Sequence, residues 1–264
     1  MPFLDVEGLN LYYRWSPAQG SRPVLVLIHG LGSSHAYYAP LVPLLNQRGY
    51  SCLAIDTPGS GLSNHDGRDR SPAHIASVFK ALLLRLAPDQ DKVLVGHSMG
   101  SMIACELARH VRAAGVVLIG PVHPTTALAN VFNARIKVVE ESGLEQMADT
   151  VPTAATGTLS TPLHHAFIRS LILSQTVAGY VSLCRTIADA EPPPYDMIEA
   201  PLLIVAGSDD KTSPLSGCES ISERWNGAHE KRLVILDGVG HWHCIEAPDR
   251  VAIKILEFAD ALSQ

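Results

Sequence analysis

The residues with the clearest chemical potential form the pentapeptide Gly96-His97-Ser98-Met99-Gly100, a G-x-S-x-G pattern. It follows an apolar, strand-like run at 92–96 and opens a helical pattern at 99–110. A tight strand-to-helix turn puts its central residue in strained backbone geometry, and flanking glycines let neighbouring segments pack closely. Such a turn would hold the Ser98 hydroxyl at a helix N-terminus, where developing negative charge is stabilised. We therefore predict a nucleophilic Ser98; the alternative is a serine N-cap in an ordinary turn.

A serine nucleophile needs two partners, because its hydroxyl is weakly nucleophilic at neutral pH. A base has to take the proton, and a carboxylate has to orient that base. Asp209 and Asp210 follow the strand-like run 201–206, and His241 follows a glycine after the run Lys231–Leu236. The G-x-x-D spacing favours Asp210 as the acid, with Asp209 as the alternative. His241 is the predicted base, ahead of His243 and His97.

The oxyanion that forms during acyl transfer needs hydrogen-bond donors. The backbone N–H of Met99, the residue after the nucleophile, is one natural donor. A second is expected from the glycine-rich loop His29-Gly30-Leu31-Gly32, which follows the apolar run 23–28. We choose the Leu31 N–H; the alternative is a simple glycine-rich turn.

The elements around these residues alternate between strand-like and helical patterns. Strands are predicted at Phe3–Val6, 9–15, 23–28, 51–56, 92–96, 114–120, 201–206 and Lys231–Leu236, and helices at 36–47, Pro72–Leu86, 99–110 and 248–263. Continuous apolar runs are typical of strands that are buried on both faces. The pattern predicts an α/β fold with a mostly parallel, eight-stranded sheet and helices on both faces.

One stretch, 122–194, breaks this alternation because it contains helical patterns and no convincing strand. Its predicted helices are Thr126–Ser142, 144–149, 162–174 and 177–190, and three prolines end it at 192–194. We predict a helical lid at 122–194 over the strand ends, where ligands bind in open sheets. The core then comprises 1–121 and 195–264.

Several motifs resemble those of the α/β-hydrolase superfamily, in the same order over nearly the whole chain. They are His29-Gly30, Asp56-Thr57-Pro58-Gly59-Ser60-Gly61-Leu62-Ser63, the pentapeptide, Gly207–Asp210 and Gly240-His241. The segments 132–135, 143–149, 178–180 and 184–188 further resemble 3-oxoadipate enol-lactonases. The chain departs from them in its His-Gly oxyanion loop and in Ser101, which stands where a second glycine is expected. The resemblance implies the α/β-hydrolase fold and a serine-hydrolase activity.

This resemblance also suggests residues that bind substrate. In such lactonases an arginine of the lid helix could meet a substrate carboxylate, which would give Arg135 that role because a guanidinium binds carboxylates with two parallel bonds. The alternative is a solvated arginine beside Glu140 or Glu141, and Arg185 has the same ambiguity. Gly30 and Trp242 complete the predicted substrate-binding set.

The predicted function is cleavage of a carboxylic ester, most simply a lactone, through an acyl-enzyme at Ser98. The alternatives are C–C bond hydrolysis or another reaction of the same triad, or a slow hydrolase that acts as a butenolide-like receptor. A small-molecule ester or lactone is the expected substrate.

The composition restricts partners and location. The net charge of −6 gives no electrostatic reason to expect nucleic acid or an anionic membrane as partner. The five cysteines are scattered and include no C-x-x-C pair, which favours reduced, buried thiols. No signal-like start or long apolar run is visible, so we expect a cytoplasmic monomer or homodimer. The histidine pairs lack further ligands at metal-binding spacing and no nucleotide-binding loop occurs, so we expect neither metal nor cofactor.

Overall fold

The computed structural model describes residues 2–226 and 230–262, and its centre is a single eight-stranded sheet. The strands are β1 (Phe3–Val6), β2 (Leu9–Ser16), β3 (Val24–Ile28), β4 (Cys52–Ile55), β5 (Lys92–His97), β6 (Ala113–Ile119), β7 (Leu202–Gly207) and β8 (Lys231–Leu236). Each predicted strand is present within one or two residues of its expected ends. The α/β-hydrolase fold class is confirmed.

The sheet order is β1-β2-β4-β3-β5-β6-β7-β8. The pairs β1–β2 and β2–β4 are antiparallel, whereas all pairs from β4 to β8 are parallel. In register, Ile28 of β3 pairs with Gly96 of β5, and Gly207 of β7 pairs with Leu236 of β8. The loops after β3, β5, β7 and β8 therefore leave the sheet along one edge, where the predicted chemistry is concentrated.

Helices of the core cover both faces of this sheet. They are α1 (Val42–Gln47), α2 (Pro72–Leu86), α3 (Met99–Ala108), α8 (Leu215–Arg224), α9 (His243–Glu246) and α10 (Pro248–Ala261). Strands β3 and β4 are buried along their whole length, which explains why they are read in the sequence as continuous apolar runs. Amphipathic helices bury an apolar face against the sheet, as α10 does against β7, with Val251, Ile255 and Phe258 fully buried.

Four further helices lie between β6 and β7 and form the segment that was predicted as a lid. They are α4 (Thr126–Ser142), α5 (Glu145–Ala154), α6 (Pro162–Leu173) and α7 (Val177–Ala188). Helix α4 packs along α7, and α5 packs along α6. Threonine side chains cap α4, α6 and α7 at Thr125, Thr161 and Thr176.

Some element predictions were wrong in detail. The helix predicted at 36–47 is a 3₁₀ helix at His35–Tyr38 followed by α1, because prolines at 40 and 43 interrupt backbone hydrogen bonding. Helix α5 runs to Ala154, beyond the predicted end at 149. Helix α8, the short α9 and the 3₁₀ turn Tyr195–Met197 were not predicted. Residue 263 of the predicted C-terminal helix lies outside the described residues.

Within the described residues, no helix by itself has both the length and the apolar character needed to cross a bilayer. Only α6 and α7 taken together, with a bend of 100° between them, meet the length and composition criteria.

Candidate active site

Ser98 occupies the sharp turn between β5 and α3. Its backbone φ of 52° lies in the left-handed region, and it is one of two such non-glycine residues in the described chain. The turn depends on Gly96 and Gly100: a Cβ at Gly96 would lie 2.6 Å from Ser101 Cα, and one at Gly100 would overlap the Ile28 carbonyl oxygen. This strain persists because the surrounding packing imposes it, and such strain is typical of functional positions.

The Ser98 hydroxyl is directed to a histidine and not to its own helix. Although Ser98 occupies the N-cap position of α3, its side chain makes no capping bond. Its Oγ lies 2.9 Å from His241 Nε2, and His241 Nδ1 lies 2.8 Å from Asp210 Oδ2. All three residues are buried, with 5–7 % of their surface exposed. The N-cap alternative is therefore wrong, and the structure brings the three predicted triad residues together.

The surroundings of Asp210 stabilise its carboxyl group in the anionic form. Its second oxygen, Oδ1, accepts hydrogen bonds from the backbone N–H groups of Thr212 (2.9 Å) and Ser213 (2.8 Å). Burial alone would raise the pKa of the Asp210 carboxyl, but the His241 imidazole and the Ser213 N–H outweigh burial and hold that pKa below its usual range. The carboxylate can therefore stabilise a proton on His241.

The alternative acid, Asp209, lies elsewhere. It is half-buried, and its Oδ2 accepts bonds from the Thr158 N–H and hydroxyl on the segment between α5 and α6. The structure thus assigns the two neighbouring aspartates to different partners: Asp210 faces His241, and Asp209 holds the α5–α6 connection.

The predicted oxyanion donors lie beside Ser98. Met99 is the first residue of α3, and N–H groups in a first helical turn lack intrahelical acceptors. The Leu31 N–H donates to no acceptor within residues 2–226 and 230–262, and Leu31 lines the same cavity as Ser98. Gly30 is placed differently from the prediction: it packs under the nucleophile, where a Cβ would lie 2.8 Å from Ser98 Cβ, and it does not line the cavity.

Ser101 also has a structural role. Its hydroxyl donates to the Gly96 carbonyl at 2.9 Å and thereby closes the nucleophile turn from inside. This bond explains how a serine can stand where a second glycine was expected.

A cavity of about 140 Å³ opens above Ser98 and His241. Its walls come from the oxyanion loop, the loop after β7 and four helices between β6 and β7: Leu31, Gly32, Phe132, Arg135, Val151, Ala154, Ala155, Ile172, Tyr180, Thr212 and Trp242. The predicted residues Arg135 and Trp242 are thus at the cavity. The apolar helix positions in its wall were missed, because their periodicity in the sequence is that of ordinary core residues.

Arg135 is the cation of this cavity. It is half-buried, its guanidinium lies 4.9 Å from the centre of the Phe132 ring, and it makes no ion pair with a carboxylate of the described chain. Burial raises the pKa of Tyr180 in the same wall to about 12, with Arg135 acting in the opposite direction. Arg185, by contrast, pairs with Asp69 and Glu140 at the surface.

Glu246 is a site residue that sequence reasoning missed. Its buried carboxylate accepts three backbone N–H bonds, from Gly157 (2.7 Å), Gly240 (3.0 Å) and Trp242 (2.9 Å). It thereby ties the α5–α6 connection to the loop that carries His241. A glutamate five residues after His241 gives no signal of this role, because the three N–H groups that donate to it come together only in the fold.

Other polar groups near the strand ends support the loops. Asp56 is fully buried and accepts bonds from the backbone and ring of His35 and from the Leu62 N–H. The five cysteines are free and buried. In the described residues no group of three or more His, Cys, Asp and Glu side chains could hold a metal ion.

Comparison with known proteins extends this picture. The phospholipase YtpA of Bacillus subtilis is 29% identical over 218 residues, which cover 73% of this chain and 78% of that protein. A non-heme haloperoxidase of Rhodococcus erythropolis is 26% identical over 281 aligned positions, covering 99% of this chain and all of that one.

Among solved structures, the enol-lactonase of Burkholderia xenovorans LB400 superimposes with a TM-score of 0.87 at 25% identity, covering 98% of this chain and 100% of that one. The sequence model of the alpha/beta hydrolase family matches residues 25–254. The chain therefore belongs to the alpha/beta hydrolase family, as its motifs predicted.

Proposed function

We propose that this hydrolase cleaves a small carboxylic ester, and specifically opens a small lactone, through an acyl-enzyme at Ser98. The observation that carries the proposal is the chain of two hydrogen bonds, 2.9 Å from Ser98 Oγ to His241 Nε2 and 2.8 Å from His241 Nδ1 to Asp210 Oδ2. These bonds form beneath a cavity large enough for a small substrate.

The first half-reaction follows from this geometry. Ser98 Oγ attacks the substrate carbonyl while His241 Nε2 takes its proton, and Asp210 stabilises the resulting imidazolium. Negative charge on the former carbonyl oxygen is met by the N–H groups of Leu31 and Met99. When the tetrahedral intermediate collapses, His241 returns the proton to the leaving oxygen.

The second half-reaction removes the acyl group from Ser98. Water attacks the acyl carbon, His241 accepts its proton, and the proton is then returned to Ser98. With a lactone the leaving alcohol stays attached to the acyl chain, so the product is a single hydroxy acid. Both parts of a lactone have to fit in one cavity, and this condition selects a compact substrate.

The cavity supports a compact, anionic substrate. A site of roughly 150 Å³ can hold a molecule the size of benzene, and the volume here is about 140 Å³. Arg135 is a cation in an otherwise largely apolar wall and pairs with no carboxylate among residues 2–226 and 230–262. A substrate carboxylate would complete that pair with two parallel hydrogen bonds.

The domain organisation follows the same logic. We propose that 122–194 is the lid and that 1–121 with 195–264 is the core, because helices α4 to α7 supply most of the cavity wall opposite Ser98. Contacts that hold these helices to the core include those of Glu246 and Asp209 with the α5–α6 connection and that of Gln175 with the Gly61 N–H at 3.3 Å.

The reaction class is tested by proton release in a pH-stat, comparing small lactones with linear esters of the same acyl length. We expect faster turnover of lactones, and a loss of at least about a thousandfold in Ser98→Ala. Equal rates on linear esters would refute the lactone preference. Turnover that survives in Ser98→Ala would refute the acyl-enzyme.

The substrate charge is tested with paired lactones, one with a carboxylate and one without. Arg135→Gln should lower kcat/KM for the carboxylated lactone about tenfold to a hundredfold, because a hydrogen bond to a charged group contributes about 1.5–3 kcal/mol. The uncharged lactone should be unaffected. Arg169→Gln, at an exposed arginine of α6 paired with Asp149, is the matched control. An equal loss on both lactones would contradict a carboxylate-binding role.

A further inference from the structure

Two buried imidazoles converge on one backbone oxygen beneath the candidate base. His97 Nε2 lies 2.8 Å from the carbonyl oxygen of His241, and His243 Nδ1 lies 3.0 Å from the same atom. One imidazole precedes Ser98 and the other follows His241 by two positions, so they approach from different strand ends. Neither ring contacts Ser98 Oγ, and the mechanism above uses neither of them.

The chemistry of the shared acceptor fixes the proton on each ring. A carbonyl oxygen can only accept, so the nitrogen that faces it has to carry hydrogen: Nε2 in His97 and Nδ1 in His243. The opposite nitrogens, His97 Nδ1 and His243 Nε2, are buried and find no hydrogen-bond partner in the described chain. In a neutral imidazole each of these is a bare lone pair, whereas a second proton would be a buried, unpaired N–H.

The surroundings of the rings keep them neutral. His97 is stacked on Tyr37 with ring centres 4.2 Å apart, and a Cβ built at Gly30 would lie 2.9 Å from its Nδ1. Burial lowers the pKa of His97 well below its ordinary value and that of His243 to about 4. The other ionisable groups that act on them are His29, His241 and Asp210; of these, only the carboxylate favours a charged ring.

The remaining backbone groups around His241 are also bonded. Its N–H donates to the Ala155 carbonyl at 2.7 Å, and the N–H groups on either side donate to Glu246. The His241 carbonyl also needs donors, and the two imidazoles supply them.

We propose that His97 and His243 are positioning residues that act as a pair of neutral donors to the His241 carbonyl and hold the base in line between Ser98 and Asp210. This inference rests on the proposed function of His241. Because neither ring takes a proton, neither adds a positive charge beside His241 when His241 becomes cationic during the cycle. Misplacement of a catalytic group by even 1 Å can cost about a hundredfold in rate.

Four variants distinguish the loss of the N–H donor from the loss of the packed ring. His97→Gln and His243→Asn keep an N–H near the original Nε2 and Nδ1 positions, whereas His97→Leu and His243→Leu remove it. The readout is the rate constant for labelling of Ser98 by a fluorophosphonate, normalised to the labelled fraction, together with kcat and KM for an activated acetate ester. The leucine variants should label about tenfold more slowly and lose kcat at little changed KM, and the amide variants should stay within about threefold of the parent.

The outcomes decide the proposal. Equal losses in leucine and amide variants, or a smaller labelled fraction with an unchanged rate constant, would overturn it in favour of simple packing. Absence of labelling in the parent protein would instead refute the proposed function, and Ser98→Ala gives the baseline for that comparison.

A second measurement needs neither a variant that folds nor a substrate. Imidazole ¹⁵N NMR of the parent protein should show His97 protonated at Nε2 and His243 at Nδ1, both unchanged between about pH 5.5 and about pH 8. The opposite tautomer, or a ring that becomes cationic in this range, would overturn the proposal.

Discussion

The hydrogen bonds of Asp210 predict how an asparagine at this position would be oriented. Asp210 Oδ1 accepts from two backbone N–H groups, those of Thr212 and Ser213. An asparagine has to keep its carbonyl oxygen at that position, because its NH₂ group cannot accept. The NH₂ group is then directed to His241 Nδ1, where the aspartate oxygen lies 2.8 Å away in the parent protein.

This orientation of the asparagine changes the tautomer of His241. A donor facing Nδ1 requires a lone pair there, so the His241 proton moves to Nε2 and faces Ser98 Oγ, 2.9 Å away. In that tautomer His241 cannot accept the serine proton. The loss of kcat expected for a wrong tautomer is about 10⁴-fold, which corresponds to about 5.5 kcal/mol in the barrier.

The assay is hydrolysis of an activated acetate ester at about pH 7.5, near the upper end of ordinary histidine titration. Asp209→Asn is the matched control, since Asp209 is the neighbouring residue and its carboxylate accepts hydrogen bonds from Ser208 and Thr158 instead of His241. It should change kcat by less than about threefold, because its contacts are exposed. A tenfold or smaller loss in Asp210→Asn, or an equal loss in Asp209→Asn, would refute the reasoning.

Three other perturbations test the framework of the site. Gly100→Ala should lower the free energy of unfolding by about 3 kcal/mol in urea titrations, because the added Cβ would overlap the Ile28 carbonyl. The control Gly217→Ala in α8 should be neutral or stabilising, because its Cβ would meet its nearest atom at 3.5 Å. Equal effects of the two substitutions would contradict the steric argument. Glu246→Gln should lower the free energy of unfolding by about 2 kcal/mol, because an amide replaces a carboxylate that accepts three N–H bonds. Glu257→Gln at the surface should change the free energy of unfolding by less than about 0.5 kcal/mol. His243 has a folded pKa of about 4, below its unfolded value, so the unfolded chain binds more protons and stability falls as pH drops below about 6.5. Between about pH 7 and about pH 5, His243 should account for a fall of about 2 kcal/mol in the free energy of unfolding. His243→Asn should remove that part of the fall, and an unchanged pH dependence in this variant would assign it to another group.

The fold was predictable because its signals are local. Strands buried on both faces, such as β3 and β4, need continuous apolar side chains, and all eight predicted strands are present. Prediction failed at two places. Prolines divide the segment 36–47, and α8 begins directly after Pro214 and is a largely polar helix whose buried residues are Cys218 and Ile221.

The site was predictable to the extent that its residues follow motifs. Ser98, Asp210 and His241 were identified by their place after three strands, and the structure brings them within hydrogen-bond distance. The choice between Asp209 and Asp210 rested on spacing alone. The direction of each side chain supports the choice of Asp210, since its carboxylate faces His241 and that of Asp209 faces Thr158.

The sequence by itself determined the order of the eight strands along the chain, the glycine-flanked turn at Ser98 and the three residues predicted as a triad, because apolar periodicity and glycine requirements act between near neighbours in the chain. Tertiary structure alone decided what lies around them. Contacts between segments far apart in sequence form the cavity wall, leave Arg135 without a carboxylate partner in the described part of the chain, and bring the His97 imidazole to the His241 carbonyl. His97 and His241 are 144 residues apart, and only the register of the parallel strands brings them together.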